Sequence, residues 1–249
     1  MRSRMRYKIV LEYDGSAFHG WQRQIGLRTV QGETERALSH ISLGASVTAS
    51  GRTDEGVHAL GQVAHFDYFG ELDAQTLARA LNHWLPEDIS VVGCSVVPDS
   101  FDARKSAKRK TYEYVMYTSP VPSPLRRTRE CRIGDRADVA AMNAAASRFV
   151  GTHDFSAFMT SGSSAKTFTR TIYSSSVTER DGRMVFRITG SGFLYNMVRI
   201  MAGALMRVGR GEKREEDIER ALSTGDRRLM PDVAPPEALY LVSVEYDGI

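Results

Sequence analysis

This sequence holds two cysteines in 249 residues, Cys94 and Cys131, with no Cys-x-x-Cys pair. Neither a disulfide scaffold nor a cysteine zinc site can be read from it, so a reducing compartment is expected. Long apolar runs are scarce as well. The first one, Ile9 to Leu11, stops at Glu12, so no signal peptide or membrane span is expected and the reading is a cytoplasmic protein. Neither sign of charge dominates: 33 Lys and Arg face 30 Asp and Glu, a net +3 that names no partner by itself. What remains is ordinary, at 42% hydrophobic and 25% charged. That composition excludes disordered, collagenous and low-complexity classes. It suits one large or two modest domains with ample apolar content for a core.

The charge is unevenly placed. From Phe101 to Arg132 lie Arg104, Lys105, Lys108, Arg109, Lys110, Arg126, Arg127, Arg129 and Arg132, opposed locally by Asp102, Glu113 and Glu130 alone. The segment carries +6 and leaves the remainder at −3. Such concentration suits a phosphate-binding surface, since each neutralised phosphate releases counterions. On charge alone it reads equally well as a solvated linker.

Periodicity gives a repeating order of elements. Tyr7, Ile9, Leu11 and Tyr13 alternate with polar or smaller residues, as in a half-buried strand. Val30, Ala37, Leu38 and Ile41 mark a helix. Strands follow at Val47 to Ser50 and Gln62 to Tyr68, joined by a glycine-bearing loop. Asp73 then caps a helix whose inner face is Leu77, Ala80, Leu81, Trp84 and Leu85. The β-branched stretch Ile89 to Val97 reads as a buried strand. The second half repeats this β-α-β-β-α-β order. Thr111 to Tyr117 is a strand, and Asp138 caps a helix ended by Gly151 with Val139, Met142, Ala146 and Phe149 inward. Asp181-Gly182 turns a hairpin between Arg170 to Thr178 and Arg183 to Thr189. A buried helix spans Phe193 to Val208, a short one Arg214 to Leu222, and Leu239 to Tyr246 closes as a strand. The expected fold is α+β: two ferredoxin-like halves, 1–105 and 106–249, with largely antiparallel sheets. A central cleft rimmed by the basic segment would admit an extended polyanion.

The stretch with most chemistry is Gly51-Arg52-Thr53-Asp54-Glu55-Gly56-Val57-His58-Ala59. Gly51, Gly56 and Gly61 permit sharp turns and close approach to a ligand. No Gly-Lys-Ser/Thr follows, so it is not a P-loop. On its own pattern Asp54 reads as a turn residue rather than a catalyst. Asp54 and Glu55 diverge in an extended chain and make a poor acid–base pair. His58 and His65 lack metal-ligand spacing and read as packed or hydrogen-bonded histidines.

This loop, running on to Gln62-Val-Ala-His-Phe66, resembles the signature of the tRNA pseudouridine synthase A family. So do Leu11 to Gln24, Leu81 to Ile89, Phe101 to Arg104 and Lys110 to Tyr114. Gly151 to Phe155, Gly192 to Arg199 and Ala234 to Pro236 complete blocks that arrive in family order along nearly the whole chain. Ala238 departs from a usual glycine, and Met159 to Lys166 matches poorly, reading as a Ser/Gly-rich surface loop.

The resemblance implies an isomerase that breaks the N1–C1′ bond of uridine, turns the uracil and joins C5 to C1′. Its target would be uridines 38, 39 and 40 of the tRNA anticodon arm, each taken out of the stack at a cost of a few kcal/mol. It implies no cofactor and no metal, and a homodimer that cradles tRNA. Residue by residue, Asp54 would be the nucleophile, a carboxylate ionised near neutral pH at its reference pKa of about 3.9. Arg199 would be the cation opposing the effect of burial on it. Tyr112 would stack on the uracil and take the C5 proton; on periodicity alone it is an ordinary strand aromatic. Arg52 would hold the base out or bind a phosphate. Arg104, Lys105, Lys108, Arg109, Lys110, Arg126, Arg127 and Arg129 would contact the tRNA backbone, supplying affinity and orientation. Two rival readings are a non-catalytic RNA-binding module, which leaves the Arg-Thr-Asp loop unexplained, and a glycoside hydrolase using Asp54 with a second carboxylate.

Overall fold

The computed structural model describes residues 4–42, 44–162 and 166–248. The fold is α+β and its sheets are largely antiparallel. The chain forms two compact units: one runs through Lys108 and resumes at Leu241, the other is Arg109–Tyr240. The chain thus crosses between units twice, where the sequence pattern gives a single boundary.

In the first unit the elements are β1 (Met5–Tyr13), α1 (Val30–Ser39), β2 (Thr48–Ala49), β3 (His58–Tyr68), α2 (Ala74–Trp84) and β4 (Ile89–Val97). The sheet runs β4-β1-β3, with β2 on β3 and every one of these pairs antiparallel. Alternation along β1 puts Tyr7, Ile9, Leu11 and Tyr13 on the core face, each at most 3% exposed. Leu77 and Leu81 of α2 lie fully buried, each such burial contributing about 2 kcal/mol. The Asp73 carboxylate accepts from Thr76 N at 2.9 Å, as the capping pattern predicts. β3 is central and buried on both faces. Its Val63 packs with Val97, Phe101 and Ala103.

Two expectations for this unit are corrected. Trp84 does not join the inner face of α2: it is 43% exposed and its ring stacks on His40 at 3.9 Å. β4 is not buried throughout, and Val92 and Val96 are more than half exposed. β4 is the outermost strand of this unit's sheet, so one of its edges has no strand to cover it. Apolar composition cannot distinguish an edge strand from a central one.

The second unit contains β5 (Arg109–Tyr117), β6 (Cys131–Arg132), α3 (Val139–Ser147), β7 (Gly151–Asp154), β8 (Thr169–Arg180), β9 (Arg183–Gly190), α4 (Met197–Gly209) and α5 (Glu215–Thr224). β10 (Leu239–Glu245) begins here and continues into the first unit. The sheet order is β5-β9-β8-β7, with antiparallel neighbours and β6 parallel to β5. The hairpin turn falls at Asp181-Gly182, both with positive φ (52° and 69°), as a tight two-residue turn demands. Tyr114, Met116, Phe186 and Ile188 form the core face, with Met142 and Ala146 of α3.

Gly151 does not end α3. The helix closes at Arg148, and Gly151 opens β7 at φ 119°. The expected helix from Phe193 starts four residues later, because Asn196 takes a left-handed φ of 60°. Of the loop 159–166, residues 163–165 lie outside the described residues. Both cysteines are free, and burial pushes the Cys94 thiol up to about 11 and raises that of Cys131.

One buried-edge ion pair links strand pairing to the loop after β4. Arg6 holds Asp67 in a two-point contact at 2.8 and 3.1 Å, and its other nitrogen donates to the carbonyls of Asp99 and Phe101. The Arg6 hydrogen bond holds the Asp67 carboxyl below its ordinary 3.8; burial opposes this and Arg4 adds to it. A depressed carboxylate stabilises the fold above its unfolded pKa, and that contribution is lost as pH falls through the folded value. Asp67→Asn is therefore expected to lower stability by about 2 kcal/mol near pH 6. In urea titrations across the acid range the deficit should shrink to nothing below the folded pKa; a deficit constant with pH would refute the assignment.

Candidate active site

The loop Gly51–Val57 is positioned by the segment that follows β1. Tyr13, the last residue of β1, is 3% exposed, and its hydroxyl lies 2.8 Å from Thr53 Oγ1. Burial pushes the Tyr13 phenol up to about 12, so it stays protonated as a hydrogen-bonding partner at neutral pH. Trp21 N donates to Thr53 O at 3.0 Å, and the buried Trp21 ring lies 6.3 Å from that of Tyr13. Both neighbours therefore grip the residue just before Asp54. On the other side of Asp54, Val57 N donates to Asp54 O at 3.2 Å, closing a turn with Gly56 at φ 79°.

Two glycines let the backbones approach. A Cβ on Gly20 would stand 2.8 Å from Thr53 O and 3.2 Å from the Asp54 carbonyl carbon, and its φ is 80°. A Cβ on Gly15 would stand 2.0 Å from Val57 O. Gly15 N donates to His58 Nδ1 at 3.0 Å, with the imidazole 1% exposed. Nδ1 therefore presents a lone pair there, and the ring proton sits on Nε2. The 3.2 Å approach of Asp14 Oδ1 to the same nitrogen is then not a proton-shared ion pair. At the loop's start, Ser50 Oγ donates to Gln62 Oε1 at 2.7 Å while Gln62 Nε2 donates to Gly51 O at 2.9 Å. Asp54 itself is partly exposed on this clamped loop, and Arg52 is exposed.

His58 and His65 are hydrogen-bonded structural histidines, as expected. His65 Nδ1 accepts from Ala103 N at 3.1 Å, and burial lowers its pKa.

Tyr112 and Arg199 belong to the second unit. Tyr112 lies on β5 opposite Ile188, half-buried, with Phe193 edge-on at 5.1 Å. Arg199 sits in the first turn of α4. Its Nε donates to Ala234 O at 2.7 Å and its Nη1 to Asn196 Oδ1 at 2.8 Å. Ala234 N returns a bond to Arg199 O, and Asn196 donates to Thr160 Oγ1. The guanidinium is therefore held by a residue from the Ala234 to Pro236 block and by the left-handed Asn196. The sequence offers Arg199 as a candidate but does not reveal these supports. The Gly192 to Arg199 block contains the Asn196 signal, since a non-glycine at positive φ is most often Asn or Asp.

The basic segment divides by partner. Lys108 pairs with Asp247 at 3.3 Å, Arg126 with Glu130 at 3.4 Å, and Arg132 with Asp135 at 2.9 Å. Arg104, Lys105 and Arg127 are exposed and enter no ion pair among the described residues. Asp247 and Asp135 lie outside the acidic residues counted within the segment. Arg183 and Arg187, also from outside the segment, pair with its Glu130 and Glu113, so the outside partners offset one another.

The family model for tRNA pseudouridine synthase matches residues 9–104 and 145–247. Among similar curated proteins, the tRNA pseudouridine synthase A of Acetivibrio thermocellus is 46% identical over 241 residues, spanning 96% of this chain and 98% of its own. That of Bacillus subtilis is 42% identical over 247 residues, spanning 98% and 100%, and that of Lactobacillus acidophilus 42% over 249, spanning 98% and 95%. The chain belongs to the tRNA pseudouridine synthase family, a class of isomerases acting on tRNA.

Gly20→Ala tests the clamp. Gly26, also at positive φ (76°) but with nothing within 4 Å of a Cβ, supplies the control. Each alanine carries a backbone strain of about 1 kcal/mol. Gly20→Ala should also displace Thr53 and Asp54, lowering pseudouridine formation about tenfold or more in protein that remains folded by circular dichroism. Equal turnover in the two variants would contradict the clamp.

Proposed function

We propose that this enzyme isomerises uridines 38, 39 and 40 in the anticodon arm of tRNA, with Asp54 as nucleophile and no cofactor. The observation that carries the reading is the Arg52-Thr53-Asp54 block, matching the family signature and held on both sides of Asp54 by Tyr13, Trp21 and Val57. A partly exposed carboxylate on a clamped backbone suits attack on one bound atom better than one on a solvated turn.

In the reaction, the Asp54 carboxylate attacks and the N1–C1′ bond breaks, N1 keeping the electron pair. The freed uracil rotates, C5 bonds to C1′, the bond to Asp54 breaks and returns its electron pair to the carboxylate, the C5 proton leaves, and N1 takes up a proton. The sum is an isomerisation with no change of oxidation state. Tyr112 stacks on the uracil and accepts the C5 proton, with Phe193 supporting its ring. Arg199, already oriented by Ala234 and Asn196, supplies the positive charge that keeps the carboxylate ionised as water is excluded. Arg52 occupies the vacated stack or holds a phosphate and keeps the base extruded. Exposed Arg104, Lys105 and Arg127 contact the backbone, and two subunits together cradle the tRNA.

The test is tritium release from tRNA labelled at uridine C5, with wild type and Asp54→Asn. Wild type should release the label and Asp54→Asn should fall by a factor of about 10³ or more while still binding tRNA. Transcripts with cytidine at 38, 39 and 40 should release none from those positions. Tight binding by both proteins with release by neither would favour the non-catalytic module.

A further inference from the structure

One aromatic residue outside the family blocks stands out by its placement. Along β8, Ile172 faces Gly190 of β9 and Ser174 faces Thr189, so Tyr173 is an extra residue with no partner, a β-bulge. The bulge changes the phase of the strand. Ile172 before it and Val177 after it are both buried, while Tyr173 and Ser174 both turn outward. Gly190 permits this, since a Cβ there would stand 2.8 Å from Ile172 Cδ1. The outcome is a tyrosine ring 44% exposed, where a large aromatic gains little from burial. Bulges re-aim side chains in this way next to functional sites.

The ring is occupied by a cation. The Arg109 guanidinium carbon lies 4.8 Å over the centroid of Tyr173. Arg109 opens β5, three residues before Tyr112, an odd spacing that sends the two side chains to opposite faces of the strand. It differs from six of its basic neighbours. Lys108, Arg126 and Arg132 are neutralised by carboxylates. Among the described residues, exposed Arg104, Lys105 and Arg127 carry no ion pair and stack on no aromatic ring. Arg109 combines both conditions: it enters no ion pair among the described residues, and its guanidinium plane is supported by a ring. A cation stacked on an aromatic loses less freedom when it then pairs with phosphate, and its full charge is still available.

We propose that Tyr173 is a positioning residue that presents Arg109 to a backbone phosphate of the RNA substrate. This rests on the proposed function, and deepens it by naming a phosphate contact and the residue that orients it.

The experiment measures tRNA binding across a salt series, together with KM and kcat by tritium release. Arg109→Ala should raise Kd by about three- to tenfold and reduce the slope of log Kd on log salt by about one. Tyr173→Leu should raise Kd and KM by about threefold with kcat held, and Tyr173→Phe should restore wild-type binding. Arg109→Lys, which keeps charge but not the plane, should resemble Tyr173→Leu and guards against a leucine variant that fails to fold. In an Arg109→Ala background Tyr173→Leu should change nothing further. A loss that persists there would show that Tyr173 meets the RNA itself, overturning the proposal. So would wild-type binding by Arg109→Ala or Arg109→Lys. Failure of the wild type to release tritium would instead refute the proposed function.

Discussion

The contact on which the catalytic reading depends is the grip of the Tyr13–Trp21 segment on Thr53. It is made of one buried hydroxyl pair and one backbone hydrogen bond. It forms only because Gly15 and Gly20 have no side chain to hold the two backbones apart. An aspartate in a solvated turn samples many orientations, and its effective concentration toward any single atom is low. Securing the residue before Asp54 and turning the chain after it converts that aspartate into a directed group. His58, bonded to Gly15, ties the far end of the loop to the same segment. The Leu11 to Gln24 block and the Gly51 to Ala59 block are therefore two halves of one device, although 26 residues separate them.

Arginine use follows a similar logic of prior placement. Arg199 is held by a backbone carbonyl and a side-chain amide, which fix the direction of its guanidinium. The type of partner also sorts the basic segment. Where a carboxylate has arrived from elsewhere, as with Asp247 on Lys108, the cation is already partly satisfied. Where support comes from a ring alone, as for Arg109 on Tyr173, the charge remains available to phosphate.

Much of the fold was legible. Strict alternation from Tyr7 to Tyr13 identified a strand and its buried face, because period two maps directly onto the two faces of a sheet. Asp73 and Asp138 marked helix starts because an N-cap carboxylate satisfies backbone donors that the helix leaves orphaned. The Asp181-Gly182 turn announced its hairpin. Failures cluster where neighbours decide. The exposure of Val92, Val96 and Trp84 depends on what lies beside β4 and on the ring of His40, and no local pattern records either. The bulge at Tyr173 was equally hidden, since one unpaired residue shifts the phase without changing composition.

The site divides in the same way. The sequence by itself determined the family, and it singled out Arg52-Thr53-Asp54 as the candidate block, since a signature is a list of functional groups in fixed order. Only the tertiary structure decided which residues support them: Tyr13 and Trp21 at Thr53, Gly15 at His58, Ala234 and Asn196 at Arg199. Most of these supports are backbone groups or close approaches between distant segments. Every residue offers the same amide and carbonyl, so nothing in the one-dimensional code distinguishes the few that the fold brings into use.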